Sequence, residues 1–286
     1  MSFAQSEKPA AVTLAGGQVI PIQREWVLEA DPAQMQQMPM EQRPWRFNQR
    51  TPVHIATEER PGQSPVHYFR DVRWAQDKDA KTGLHRAYYT TVRVDMDKVK
   101  GAWICLKPFA PKIIAGHSAI ALDMDAGGFT NLDGEDGGTF VLSMEALMHA
   151  GQKYSLIQGQ MGKFPIIYVV STWHDFLYKS IQMDDSVVKR WKLALNPTEL
   201  KALEVAMGKT VIADHQGQKY NTLTNSCVTA ALEVINESVA PARQIKKTIL
   251  WGLIPNFEAT LPALTDRALR RAGLIDGDMD EIEEVH

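Results

Sequence analysis

Two cysteines and eight histidines supply the nucleophile and base chemistry of this 286-residue chain. Of the two thiols, Cys227 is the one placed for reaction. Thr224, Asn225 and Ser226 before it are good helix caps, and Val228, Ala231, Leu232 and Ile235 after it follow helical spacing, so Cys227 falls in a first helical turn. There the positive end of the helix dipole and unsatisfied backbone N–H groups favour thiolate, which lowers the pKa below the roughly 8.5 of a free cysteine. The same N–H groups can hold an oxyanion formed on a carbonyl that the sulfur attacks. The bland alternative is a small buried residue, which is the reading for Cys105 within the apolar run GAWICLKPF.

A thiol nucleophile needs a base, and His117 opens the strand-like run HSAIALDM after Ala115 and Gly116. In extended backbone His117, Ala119, Ala121 and Asp123 share one face, while Ser118, Ile120, Leu122 and Met124 share the more apolar one. The run TFVLSMEA puts Val141, Ser143 and Glu145 on one face. Antiparallel pairing of the two runs across the glycine-rich loop DAGGFTNLDGEDGG brings Glu145 or Ser143 to the far nitrogen of His117, fixing its tautomer; a strand-end carboxylate in solvent is the competing reading of Glu145. His215 is the second choice of base, in the polar stretch ADHQGQKY. Asp125, Asp133, Glu135 and Asp136 lack calcium-loop spacing and read as a solvated acidic turn.

These residues need a scaffold. Six strand-like runs, HYFRDVRW, AYYTTVRVDM, GAWICLKPF, HSAIALDM, TFVLSMEA and IIYVVSTW, predict a sheet of about five or six strands. Asn196, Pro197 and Glu199 start a helix with a capping box whose face is Leu200, Leu203, Met207 and Val211. Residues 1–65, rich in Pro, Gln, Met and Arg, read as an irregular arm whose Trp26, Trp45 and Phe47 dock on the body, covering a sheet edge or the Cys227 groove. Residues 66–276 form the main α+β domain, and the acidic segment 277–286 reads as a frayed tail.

Composition bounds the function. Hydrophobic residues make up 44% and charged residues 23%, enough for a real core, and the formal charge is −3. No basic stripe marks a nucleic-acid partner. The longest mainly apolar stretch, residues 164–173, is far short of the roughly 20 residues of a membrane-spanning helix. Neither cysteine sits in a zinc-ligand pattern, and no metal or cofactor is implied. The first thirty residues lack the basic and apolar regions of a secretory signal. The expected location is therefore cytoplasmic for an unprocessed chain, or the periplasm or exterior for a trimmed or signal-independently exported one.

From FRDVRW to about Asp276 the sequence resembles the Lnb N-terminal periplasmic domain family, named for the Lnb-type apolipoprotein N-acyltransferases. YNTLTNSCVTAAL resembles the segment carrying the family's nucleophilic cysteine, IIAGHSAIALDM its histidine segment, and LSMEALMHAGQKYSLIQG its S-x-E block. IIYVVSTWHDFLYK and GLIPNFEATLPALTDRALRRAGLID are similar to its closing parts. The resemblance implies a permuted papain-like fold of NlpC type, histidine before cysteine. Carried over, Cys227 is nucleophile, His117 base and Glu145 their catalytic companion, with Ser143, Ser226 and Tyr220 beside the substrate. Ser226 stands where the family usually has Asn, and Leu147 where Arg is usual, departures that bear on substrate more than on fold. The membrane-spanning region that accompanies the domain in the acyltransferases has no counterpart here.

The implied activity is acyl transfer or hydrolysis at an ester or amide carbonyl through a Cys227 thioester, on a cell-envelope lipid, lipoprotein or peptide, with peripheral membrane contact. Two alternatives stand beside it: a signal-less secreted effector hydrolysing peptidoglycan peptide or phospholipid, and a binding protein that keeps the fold without turnover.

Overall fold

Alternating β-branched and aromatic residues between residues 66 and 172 build the long strands of one large mixed sheet. The computed structural model describes residues 9–109, 115–249 and 254–285. The first residues of the arm, the two isoleucines that begin IIAGHSAIALDM, and the start of GLIPNFEATL lie outside them. In chain order the elements are a hairpin of β1 (Ala11–Thr13) and β2 (Val19–Pro21), then β3 (Arg24–Leu28), α1 (Pro32–Gln36), β4 (Val53–Glu58), β5 (Val66–Lys78), β6 (His85–Asp95), β7 (Val99–Pro108), β8 (Gly116–Met124), β9 (Phe129–Asn131) and β10 (Thr139–Ala146). There follow α2 (Leu156–Gln160), β11 (Ile166–Thr172), α3 (Trp173–Leu177) with a π-helical turn Tyr178–Met183, β12 (Val188–Lys192), α4 (Pro197–Ile212) and α5 (Cys227–Ser238). A two-residue hairpin β13–β14 (Thr248–Ile249, Ile254–Pro255), α6 (Phe257–Thr260), α7 (Thr265–Arg271) and β15 (Asp280–Ile282) close the chain.

The sheet runs β15-β12-β7-β8-β10-β11-β5-β6-β3, with β4 also on β5 and β9 also on β6. Only the β11–β5 pair is parallel among these neighbours. All six anticipated strands are present, but the sheet has eleven. The difference comes from short strands of three to six residues at its edges, which carry too little alternation to declare themselves and form because a neighbour offers unpaired backbone groups.

Both faces are covered. Ile120, Leu122, Leu142 and Met144 pack in one cluster with Leu203, Met207, Val228, Leu232 and Ile235 of α4 and α5. Ala119, Ala121 and Val141 pack on the other side with Cys105, Phe176 and Leu177. α4 starts with the capping box, Glu199 N–H donating to Asn196 at 3.0 Å and Asn196 N–H to Glu199 at 3.1 Å, and Leu203, Met207 and Val211 are buried.

Three expectations need correction. The arm contributes β3 and β4 to the main sheet, because its proline-rich stretches are punctuated by REWVL and VHIATE, which suit edge positions. Trp26 lies against Tyr88 with Arg86 over its ring, and Trp45 stacks on His149, yet both indoles stay nearly half exposed. The acidic tail supplies β15 to β12, with Lys189 and Arg190 paired to Glu281 and Asp280. The acidic turn is hydrogen-bonded rather than merely solvated: Asp133 takes a two-point ion pair from Arg24, and Asp136 accepts the N–H groups of Gly127 and Gly138. Among the described residues no group of acidic, His and Cys side chains is arranged to hold a metal ion.

Candidate functional site

Cys227 is the first residue of α5 and is buried. Ser226 caps the helix in extended backbone, its own N–H donating to Thr229 Oγ1 at 2.7 Å and its carbonyl accepting from Ala230 N–H at 2.9 Å. The sulfur sits at the start of β8. Its thiol points to the Gly116 carbonyl at 3.9 Å and receives the Tyr220 hydroxyl at 3.7 Å. A glycine suits this strand end because of its neighbours on β7: a Cβ at Gly116 would stand 2.6 Å from Leu106 Cδ1 and 3.1 Å from the Lys107 carbonyl oxygen.

Strand alternation separates the imidazole from the sulfur. Cys227 shares an apolar cavity wall with Ser118, Ile120, Leu142 and Met144, while His117 turns to the opposite side of β8, toward Glu145. Its Nε2 lies 3.9 Å from Glu145 Oε1 and has no hydrogen-bond partner. Thiol and imidazole thus flank one strand end without a hydrogen bond between them. β8 pairs antiparallel with β10 up to Ala119 opposite Ser143, and extending that register by two residues sets His117 across from Glu145.

Glu145 is the hub of a buried polar cluster. Ser143 Oγ donates to its Oε1 at 3.3 Å, Gln49 Nε2 donates to its Oε2 at 2.9 Å, and Lys179 Nζ stands 3.9 Å away. Lys107 and Lys179 share Asp184, at 2.5 and 3.5 Å. Burial opposes ionisation of Glu145, but Lys179, His117, Arg73 and the Gln49 hydrogen bond outweigh it and hold the carboxyl well below its usual range. Burial dominates at His117 and, with both lysines opposing the favourable field of Glu145, pushes its pKa down to about 3. The ring is a neutral imidazole at physiological pH.

The thiol departs from expectation. Ser118 and Val228 N–H groups and the Tyr220 hydroxyl favour the thiolate, yet burial is the largest influence and raises the Cys227 pKa above its ordinary value. The helix-start effect operates, but in this closed arrangement desolvation exceeds it. Cys105 is deeper in the core, and burial raises it to about 12.

Of the other anticipated residues, Tyr220 borders the sulfur and also meets the ring of Tyr154 edge-on. Ser226 is buried, its Oγ has no hydrogen-bond partner, and it lines an apolar cavity together with Tyr220. His215 lies tilted against the Tyr168 ring, its Nε2 2.8 Å from the Thr210 carbonyl oxygen, and is engaged at the far end of α4. Sequence reasoning missed Gln49, Lys107, Lys179 and Asp184. Lys107 carried a usable signal, a charge inside an apolar strand. Gln49 and Lys179 carried none, since an arm and a π-helical turn bring them in from distant parts of the chain. Arg73 and Asp175, a fully buried ion pair at 2.5 Å, tie β5 to the start of α3, and Arg73 also donates to the Asn48 carbonyl beside Gln49.

A mixed sheet covered by helices, with a cysteine heading one helix and a His–Glu pair on adjacent strands, defines an α+β domain with a polar site at one strand end. The chain belongs to the family of Lnb N-terminal periplasmic domains, whose model matches residues 86–266. That makes it an envelope-associated protein of bacteria. No curated protein and no solved structure matches the chain. Among the described residues no helix is long and apolar enough to cross a membrane.

Proposed function

We propose that this chain is a thiol acyltransferase or hydrolase on a permuted papain-like, NlpC-type fold, acting at an ester or amide carbonyl of a bacterial envelope lipid, lipoprotein or peptide. The observation that carries the reading is the Cys227 sulfur at the head of α5, beside the Gly116 carbonyl and the Tyr220 hydroxyl, with the unpaired Ser226 Oγ and His117 Nε2 on either side. The thiol proton passes to neutral His117 as sulfur bonds to the carbonyl carbon. The carbon–oxygen or carbon–nitrogen bond then breaks, the leaving group takes the proton from the imidazolium, and water or an amine resolves the thioester. Glu145, kept ionised by Lys179 and Gln49, stabilises the imidazolium. Helix-start N–H groups and the Ser226 hydroxyl serve as oxyanion donors. The step needs the thiol and imidazole to meet around the strand end at Gly116, which has no side chain of its own.

Burial of the sulfur and the missing thiol–imidazole hydrogen bond favour a second reading, a non-catalytic binding protein. Intact-protein mass spectrometry after incubation with p-nitrophenyl acyl esters and with cell-envelope extract separates the two. Acyl transfer predicts an adduct on Cys227 that Cys227→Ala lacks and that forms 10²–10⁴-fold more slowly in His117→Gln. A peptidyl mass in place of an acyl mass would identify the peptidoglycan-directed alternative. No adduct under any condition defeats the enzyme reading.

A further inference from the structure

Two cavities, one apolar and one carrying charged groups, meet at Gly116 and Tyr220, the neighbours of the buried Cys227, which itself lines neither. One, about 160 Å³, is lined by Leu156, Leu261, Pro262 and the aromatic rings of Phe109 and Tyr154, with Ser226 in its wall. The other, about 210 Å³, holds His117, Glu145 and the basic side chains of Arg46, Lys107 and Lys179. Gly116 and Tyr220, with Phe109 and Tyr154, border both cavities, and the Gly116 carbonyl and Tyr220 hydroxyl contact the Cys227 sulfur. A molecule lying across the junction presents its middle to Gly116 and Tyr220, beside the buried thiol, an apolar part to one side and a polar part to the other.

The polar side is positive against the trend of the chain, which carries −3 overall. Beyond Lys179 and Asp184 it continues into a cleft of about 580 Å³ that adds Arg43 and Lys153 and the single carboxylate Glu29. Five cationic side chains thus face three carboxylates across the two polar cavities. Asp184 is shared between two lysines. Among the described residues the Arg46 guanidinium has only a carbonyl, that of Gln152, as its partner. An apolar cavity of about 150 Å³ binds benzene, so the apolar side takes on the order of six carbons of a chain. A compact oxyanion suits the basic side, because desolvated cations gain most from a paired negative group.

We propose that the site takes an anionic, phosphate-bearing amphiphile, its acyl chain between Leu156 and Pro262 and its phosphate against Arg46, Lys107 and Lys179, so that the ester carbonyl lies at Cys227. The assignment of the carbonyl rests on the acyl-transfer reading; the binding of the amphiphile does not.

Calorimetry with the full chain, at physiological ionic strength and below the critical micelle concentration of each probe, tests it. Dodecyl phosphate is expected to bind at least tenfold more tightly than 1-O-dodecylglycerol and than inorganic phosphate. The preference over the neutral amphiphile should fall at least threefold in Arg46→Gln, a partly exposed position, and in Lys179→Gln, and should persist in Cys227→Ala. Equal affinity for the two amphiphiles, or an undiminished preference in Arg46→Gln, overturns the proposal, and inorganic phosphate binding as well as dodecyl phosphate overturns the amphiphile in favour of a simple anion site. Failure of the acyl-transfer reading would show separately, as absence of a Cys227 adduct.

Discussion

Gln49 holds Glu145 from outside the family-matched region: its carboxamide donates to Glu145 Oε2 at 2.9 Å and to the Ala146 carbonyl at 3.0 Å, while its oxygen accepts the Met148 N–H at 3.0 Å. The arm therefore completes the site. Arg73, through the Asn48 carbonyl, fastens the neighbouring residue to the sheet.

Replacing Gln49 by Ala should leave the Met148 N–H and one Glu145 oxygen short of a partner and lower unfolding free energy by about 1–3 kcal/mol in denaturant titration. Because Glu145 loses a donor that favours its ionised form, the acid limb of the activity profile should also move to higher pH. A stability loss with an unmoved acid limb would reduce Gln49 to a purely structural residue.

The thiol should titrate high. In the free protein the pH midpoint of Cys227 alkylation by iodoacetamide is expected above the roughly 8.5 of an ordinary cysteine, since burial raises it. Cys105 should react later still, in keeping with a pKa of about 12. A Cys227 midpoint below 8 would mean that the helix start prevails over burial.

Protonation of His117 should destabilise the fold. Its pKa is about 3 when folded and about 6.5 when unfolded, so below pH 6.5 the unfolded chain takes up a proton that the folded chain refuses, and stability falls as pH drops toward 3. Between pH 7 and 5 the denaturant midpoint of wild type should decline more steeply than that of His117→Gln. Parallel curves would place the imidazole in a more solvated setting than the one described.

Gly116→Ala brings a Cβ against Leu106 and against the Lys107 carbonyl. The carbonyl belongs to the backbone and cannot simply rotate away, so a cost of about 1–3 kcal/mol is expected, together with an altered rate of Cys227 labelling as the Gly116 carbonyl shifts. Unchanged stability and labelling would show that the strand end relaxes freely.

What the sequence by itself determined is local. The capping box at Asn196, the helix beginning at Cys227, the six long strands and the faces of HSAIALDM and TFVLSMEA follow from periodicity and cap chemistry, which act over a few residues. The segments around Cys227 and His117 also carried the family resemblance. The tertiary structure decided the rest. Short strands such as REWVL and DEI form only where a sheet edge recruits them, so the arm and the tail could not be read as ordered from composition. Gln49 of the arm, Lys107 of β7, and Lys179 and Asp184 of the π-helical turn and its cap come together from three separate parts of the chain, and no spacing along the chain encodes that meeting. The protonation of the pair was beyond the sequence for the same reason: a helix start favours thiolate and a carboxylate favours imidazolium, but how far desolvation opposes them depends on how much of the chain packs over the site.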